Sequence, residues 1–150
     1  MTKYLVVAHQ TASSPELLDK LKELAREDAE AEFVLLVPAT PVRHLLASVE
    51  GEARAAAQSA AEEAKDALET NGLQISRIAI GDEAPVTAVQ DDLRENPARY
   101  DAIILSTLPL GISRWLGLDV PHQMRRRFEF RVIHVVAGNQ DNHKRRTSTR

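Results

Sequence analysis

The 150-residue chain contains no cysteine. That absence excludes a disulfide scaffold, a cysteine-ligated zinc site, an iron–sulfur cluster and thiol catalysis, and it fits a cytoplasmic location. Long hydrophobic runs are lacking too. The longest, such as Tyr4-Leu5-Val6-Val7-Ala8 and Ala102-Ile103-Ile104-Leu105, fall far short of the ~18 residues that cross a bilayer. The sequence opens directly on a strand-like run, without the basic and apolar regions of a secretory leader, so none is expected. Nor is there an excess of positive charge: 19 Lys and Arg stand against 22 Asp and Glu, a formal net charge of -3. Such a balance does not suit general binding to nucleic acid.

What is present describes one globular domain. A chain of 150 residues matches the usual ~100–200 per domain and can bury ~70% of the surface its unfolded form exposes. Hydrophobic residues make up 43% and charged residues 27%, as in a folded protein rather than a disordered one.

Short apolar runs alternate with helical stretches. Tyr4-Leu5-Val6-Val7-Ala8 is continuously apolar, as a strand buried on both faces must be. Ser14 is a natural N-cap with Pro15 in the first helical position. Leu17, Leu18, Leu21, Leu24 and Ala25 then form a stripe at helical spacing. Phe33-Val34-Leu35-Leu36-Val37 reads as a second strand, stopped by Pro38 and Pro41. Residues 38–48 read as a loop or short turn, and 50–70 as an alanine-rich helix ended by Asn71-Gly72. Ile75, Ile78 and Ile80 lie in a third strand whose phase is ambiguous. A helix over 85–95 stops at Asn96-Pro97. The run 102–105 is the fourth strand, 122–128 a short helix, and Val132-Ile133-His134-Val135-Val136 the fifth strand. Residues 138–150 form a basic, flexible tail beyond a domain of 1–137. Strands alternating with helices give an α/β class: a doubly wound, five-stranded parallel sheet of Rossmann-like type.

The last third of the chain carries a family likeness. Asp101-Ala-Ile-Ile-Leu-Ser106, a loop of small residues, a short basic helix and Val132-Ile-His-Val-Val136 resemble the C-terminal half of a universal stress protein domain. Gly81-Asp-Glu-Ala-Pro85, Lys3-Tyr-Leu-Val-Val-Ala8 and Val37-Pro38 extend the resemblance over about residues 3–137. It implies strand order 3-2-1-4-5 and a homodimer joined through the last strand, Val132, Ile133, His134, Val135 and Val136. ATP or AMP are the nucleotides it implies, although nothing in the residues demands a cofactor. ATP-binding members carry Gly, two residues, Gly, nine residues, Gly, then Ser or Thr. Here those places hold Ser106, Pro109, Asp119 and Val120, and His9 stands where the family has an acid after its first strand. Glycine lets backbone wrap a phosphate and reach positive φ; proline removes a donor; Asp119 adds a repelling charge. ATP held in the family's manner is therefore not expected.

In an open parallel sheet, ligands sit where strand order reverses, at the carboxyl ends of the strands. In the implied order this places His9, Gln10 and Thr11 opposite Ser106 and Thr107, with Gly111, Ser113 and Arg114 in the loop beyond and Val37 ending the second strand. The hydroxyls and Arg114 could together cradle an anion, Arg114 forking onto phosphate or carboxylate. The plainer alternative has Ser106 and Thr107 satisfying loop backbone while Arg114 pairs with an acid such as Asp119. No Ser/His/Asp set or nucleophile elbow is visible, so no catalytic residue is assigned. The remaining histidines, His44, His122, His134 and His143, lack metal-ligand spacing, so no metal is expected. Trp115 reads as an anchor for the loop or a subunit contact. Arg125, Arg126 and Arg127 read as a solvated helix face. The sum is a non-enzymatic, dimeric, regulatory or stress-response domain with at most weak nucleotide or anion binding. The alternative is a true nucleotide-binding protein or nucleotide-dependent enzyme working through the 106–114 loop.

Overall fold

The computed structural model describes residues 2–40, 50–97, 99–110 and 112–138, for Glu50 and Arg114 the backbone alone. Five strands, β1 (Lys3–Val7), β2 (Glu32–Pro38), β3 (Gln74–Gly81), β4 (Ala102–Thr107) and β5 (Arg131–Val136), form one sheet in the order β3-β2-β1-β4-β5. All four pairings are parallel. Between the strands run α1 (Pro15–Glu27), α2 (Glu50–Thr70), α3 (Pro85–Glu95), α4 (Arg114–Gly117) and α5 (Val120–Arg127). The doubly wound class and the strand order are those expected. The expected tail falls outside the described residues apart from Gly138, as does most of the expected loop at 38–48.

Alternation along the strands divides the core into two layers. Tyr4, Val6, Phe33, Leu35 and Ile104 face α1 and α2, where Leu17, Leu21 and Leu24 pack on them. Leu5, Val7, Val34, Leu36, Ile103 and Leu105 face α3, α4 and α5, meeting Val89, Trp115 and Met124. Each fully buried leucine or valine contributes about 1.5–3 kcal/mol. On α2 the buried positions are Ala53, Ala57, Ala61, Ala64 and Leu68, one helical stripe whose small side chains let the helix lie close to β2 and β3.

Local chemistry sets the ends of the elements. Ser14 Oγ accepts from Leu17 N at 3.2 Å, capping α1 with Pro15 behind it. Gly72 ends α2 at φ +84. Its N–H donates to Glu69 O and that of Leu73 to Leu68 O, the paired closure of a Schellman end. Three details differ from the sequence reading. β3 carries a bulge: Phe33 pairs Ile75 but Val34 pairs Arg77, so Ser76 has no strand partner on β2. The side-chain phase flips there, which is why Ile75, Ile78 and Ile80 fit no single alternation. A further one-turn helix, α4, precedes α5. Finally, α5 begins at Val120 rather than at His122, because Asp119 takes a left-handed turn and Pro121 fits the first helical turn.

Candidate functional site

Strand order reverses at β1, which β2 and β4 flank. The chain leaves β1 toward the α1 face and leaves β4 toward the α4 face, so the two connections diverge and open a crevice at the strand ends. His9, Gln10 and Thr11 enter it from β1, and Ser106 and Thr107 end β4.

The hydroxyls there are already engaged. Thr11 Oγ1 and Ser106 Oγ, both buried, share a hydrogen bond of 2.6 Å that ties the two loops across the crevice. Thr107 Oγ1 bonds His134 Nε2 of β5 at 2.8 Å. Ser113 Oγ accepts from Leu116 N at 3.1 Å and starts α4. Pro109 lacks an N–H, yet its carbonyl accepts from Ile112 N and Ser113 N and closes the loop beneath α4. Gln10 is exposed. Val37 is fully buried in the layer against α1 and α2, so its side chain is core. Gly111 and the Arg114 side chain lie outside the described residues; the Arg114 backbone opens α4.

His9 is the exception. It is 8% exposed, and neither ring nitrogen has a hydrogen-bond partner among the described residues. Burial pushes its imidazole below the ordinary histidine range, opposed by its own backbone carbonyl. The ring is therefore neutral near pH 7, with one donor and one acceptor unmet. Leaving such groups buried costs about 1–3 kcal/mol each. His134 is also pushed down, first by burial and then by the Arg125 charge. Among the described residues no three histidine or carboxylate side chains gather as a metal site, and no helix is long and apolar enough to cross a membrane.

Trp115 is buried at 7% exposure and packs in the layer with Val7 and Leu36. Its Nε1–H donates to Thr40 Oγ1 at 3.2 Å, and the Thr40 hydroxyl donates to Glu83 O at 2.6 Å. This chain of bonds links the connections after β4, β2 and β3. Trp115 thus anchors its loop, as the sequence suggested, whereas Leu118 beside it is 58% exposed. Thr40 was missed in the sequence reading; its only local signal is its place just after a parallel strand.

Sheet order and parallel pairing can be set beside solved structures. A universal stress protein family protein from Arabidopsis thaliana with AMP bound superposes at a TM-score of 0.60, covering 94% of this chain and 95% of that one at 12% identity. The universal stress protein from Archaeoglobus fulgidus gives 0.57, with 90% and 93% covered at 15% identity. A universal stress protein in complex with cAMP gives 0.55, with 91% and 98% covered at 20% identity. The chain has the universal stress protein fold. No protein-family model and no curated protein matches its sequence, so the likeness is one of architecture. Within the universal stress protein fold, the three places where the resemblance puts glycines behave differently. Ser106 is extended in β4 and Pro109 closes a loop. Asp119, at φ 57 and ψ 40, is the one non-glycine residue with positive φ among those described. At that place the left-handed turn persists without glycine, and the change is one of charge.

Proposed function

We propose that this chain is a non-enzymatic, cytoplasmic, dimeric regulatory domain of universal stress protein type, acting in stress response, whose crossover takes a nucleotide or other small anion weakly at most. The observation that carries this reading is the pairing of the crossover hydroxyls. Thr11 with Ser106, Thr107 with His134 and Ser113 with Leu116 N hold these hydroxyls in place, so a phosphate would meet at most single O–H donors, such as that of Ser113 and one of the Thr11–Ser106 pair. The His9 ring, unpartnered among the described residues, can offer a ligand one donor and one acceptor. A neutral imidazole with no nucleophile bonded to it does not make an acid–base machine. Arg114 supplies the positive charge of the loop in this reading, worth ~1.5–3 kcal/mol as a charge-assisted contact. Dimerisation rests on β5, an edge strand without proline. Val132, Ile133 and His134 are half-buried and Val136 is 43% exposed there. Such an edge invites a second copy.

Calorimetry with AMP and ATP tests the reading, with light scattering alongside. Dissociation constants in the high micromolar range or weaker, on the order of −5 to −6 kcal/mol, are expected. Scattering should give twice the 16.6 kDa chain mass. Binding below about 1 μM, or release of phosphate from ATP, would overturn it.

A further inference from the structure

A cavity of about 220 Å³ opens between the N-terminal turns of α3 and α5. Pro85 and Val86 wall it from α3, Val120 from α5, and Trp115 joins them. Its size is informative. It exceeds the ~150 Å³ of an apolar cavity that accepts benzene, and it falls below the ~300–1,000 Å³ of sites for larger ligands. One ring, or two fused rings, fit; a whole nucleoside triphosphate does not. Apolar walls with an indole among them suit a planar ring.

The polar atoms restrict the ring further. The indole N–H and the Thr40 hydroxyl are both spent, on Thr40 and on Glu83 O. Gln123 Nε2 spends one N–H on Leu118 O at 2.7 Å, which leaves its second N–H and its amide oxygen to meet a ligand. Glu83 adds an exposed carboxylate to the lining. Both offer acceptors. The positive ends of α3 and α5, about half a charge each, would favour an anion. Each is preceded by acids, however: Asp82 and Glu83 before α3, Asp119 before α5. Glu83, the charged side chain among the described lining residues, puts a full negative charge on the cavity wall, so negative ligands are disfavoured. We propose that this cavity binds a small planar ring carrying N–H donors, uncharged or cationic. Such a ligand is of a different class from an anion at the crossover.

Trp115 is the only tryptophan in the chain, so its fluorescence reports the cavity directly. The full chain is titrated with benzamidine, benzamide and benzoate, which share a ring and differ in charge. Benzamidine and benzamide should give saturable changes with half-saturation near or below about 1 mM, and benzoate should be at least about tenfold weaker. Val86→Phe, which fills the cavity, should abolish the response. Glu83→Gln, at an exposed position, should weaken benzamidine about threefold to tenfold and leave benzamide unchanged. Failure of both benzamidine and benzamide to saturate, equal binding of benzoate, or a full response from folded Val86→Phe would each overturn the proposal. Should Val86→Phe not fold, the Glu83→Gln selectivity decides it alone.

Discussion

Gly81 ends β3 at the point where the chain turns into α3, and the contact it makes there can be tested by adding one carbon. A Cβ at this position would lie 2.6 Å from Ala88 Cβ, 3.2 Å from Ala88 Cα and 3.2 Å from Leu36 Cδ1. Carbon atoms pack best at ~3.5–4.0 Å, so α3 would have to move roughly 1 Å off the sheet. Little can give: Ala88 and Leu36 are each 1% exposed, and Ala39 N donates to Gly81 O at 2.9 Å and pins the strand end. Overpacking of this kind costs about 1–3 kcal/mol. Removing a glycine returns about 0.4–1 kcal/mol by restricting the unfolded chain. The expected net loss for Gly81→Ala is therefore about 1–2 kcal/mol, a fall in Tm of about 3–6 °C for a chain of this length.

A double-mutant cycle makes the reasoning refutable. Ala88→Gly alone removes a buried methyl, about 0.8 kcal/mol, and puts glycine in a helix, about 1 kcal/mol. In the double variant the methyl added at residue 81 occupies the space vacated at residue 88. The steric loss then vanishes, and mainly the helix propensity remains. Urea denaturation of the four proteins should show a favourable coupling of about 2 kcal/mol. Additivity within about 0.5 kcal/mol would mean that the two residues do not touch, and the packing of α3 on β3 described above would be wrong.

Much of this arrangement is readable in the sequence because strong local signals agree with the global fold. The apolar runs of β1 and β4, the Ser14-Pro15 start and the Asn71-Gly72 stop mark elements without reference to anything distant. Where sequence reasoning slips, the deciding contact is tertiary or the signal is a single residue. The phase of β3 depends on a bulge at Ser76 that only pairing with Phe33 and Val34 defines. The one-turn α4 exists because Ser113 caps it and Pro109 closes the loop beneath. At the site, sequence position places Thr11 and Ser106 together, but their bond spans 95 residues and turns two expected ligand groups into partners of each other. The cavity beside α3 and α5 escapes notice altogether, because its walls come from three separate connections and none carries a motif.

Three further outcomes are expected. Arg77 forks onto Asp92 at 2.8 and 3.0 Å, with Asp92 5% exposed and Arg77 about one-third exposed; Asp92→Asn should cost about 1–3 kcal/mol in urea, less than a fully buried pair, and a loss under about 0.5 would show the pair idle. His9 and His134 are both pushed below the ordinary value of 6.5, so as pH falls the unfolded chain takes up these protons first. Their stabilising contribution is full above about pH 6.5 and declines as pH drops through the depressed folded values. Urea midpoints should fall between about pH 7 and pH 5, and His9→Gln should flatten part of that slope. The last outcome concerns Asp119, whose left-handed backbone at φ 57 suits glycine and is tolerated by aspartate. Asp119→Gly should change stability by less than about 0.5 kcal/mol, because relief of the turn offsets the entropy of the added glycine. Asp119→Val, β-branched at positive φ, should lose about 1–2 kcal/mol. The same pair separates charge from shape in nucleotide binding. Both remove the carboxylate, but only glycine preserves the turn that opens α5. If the carboxylate is what repels phosphate, at roughly 3 kcal/mol for ~5 Å and an effective dielectric of ~20 before solvent reduces it, Asp119→Gly should tighten ATP at least about tenfold in calorimetry. An unchanged affinity would move the obstacle to Pro109 and to the hydroxyls already bonded to one another.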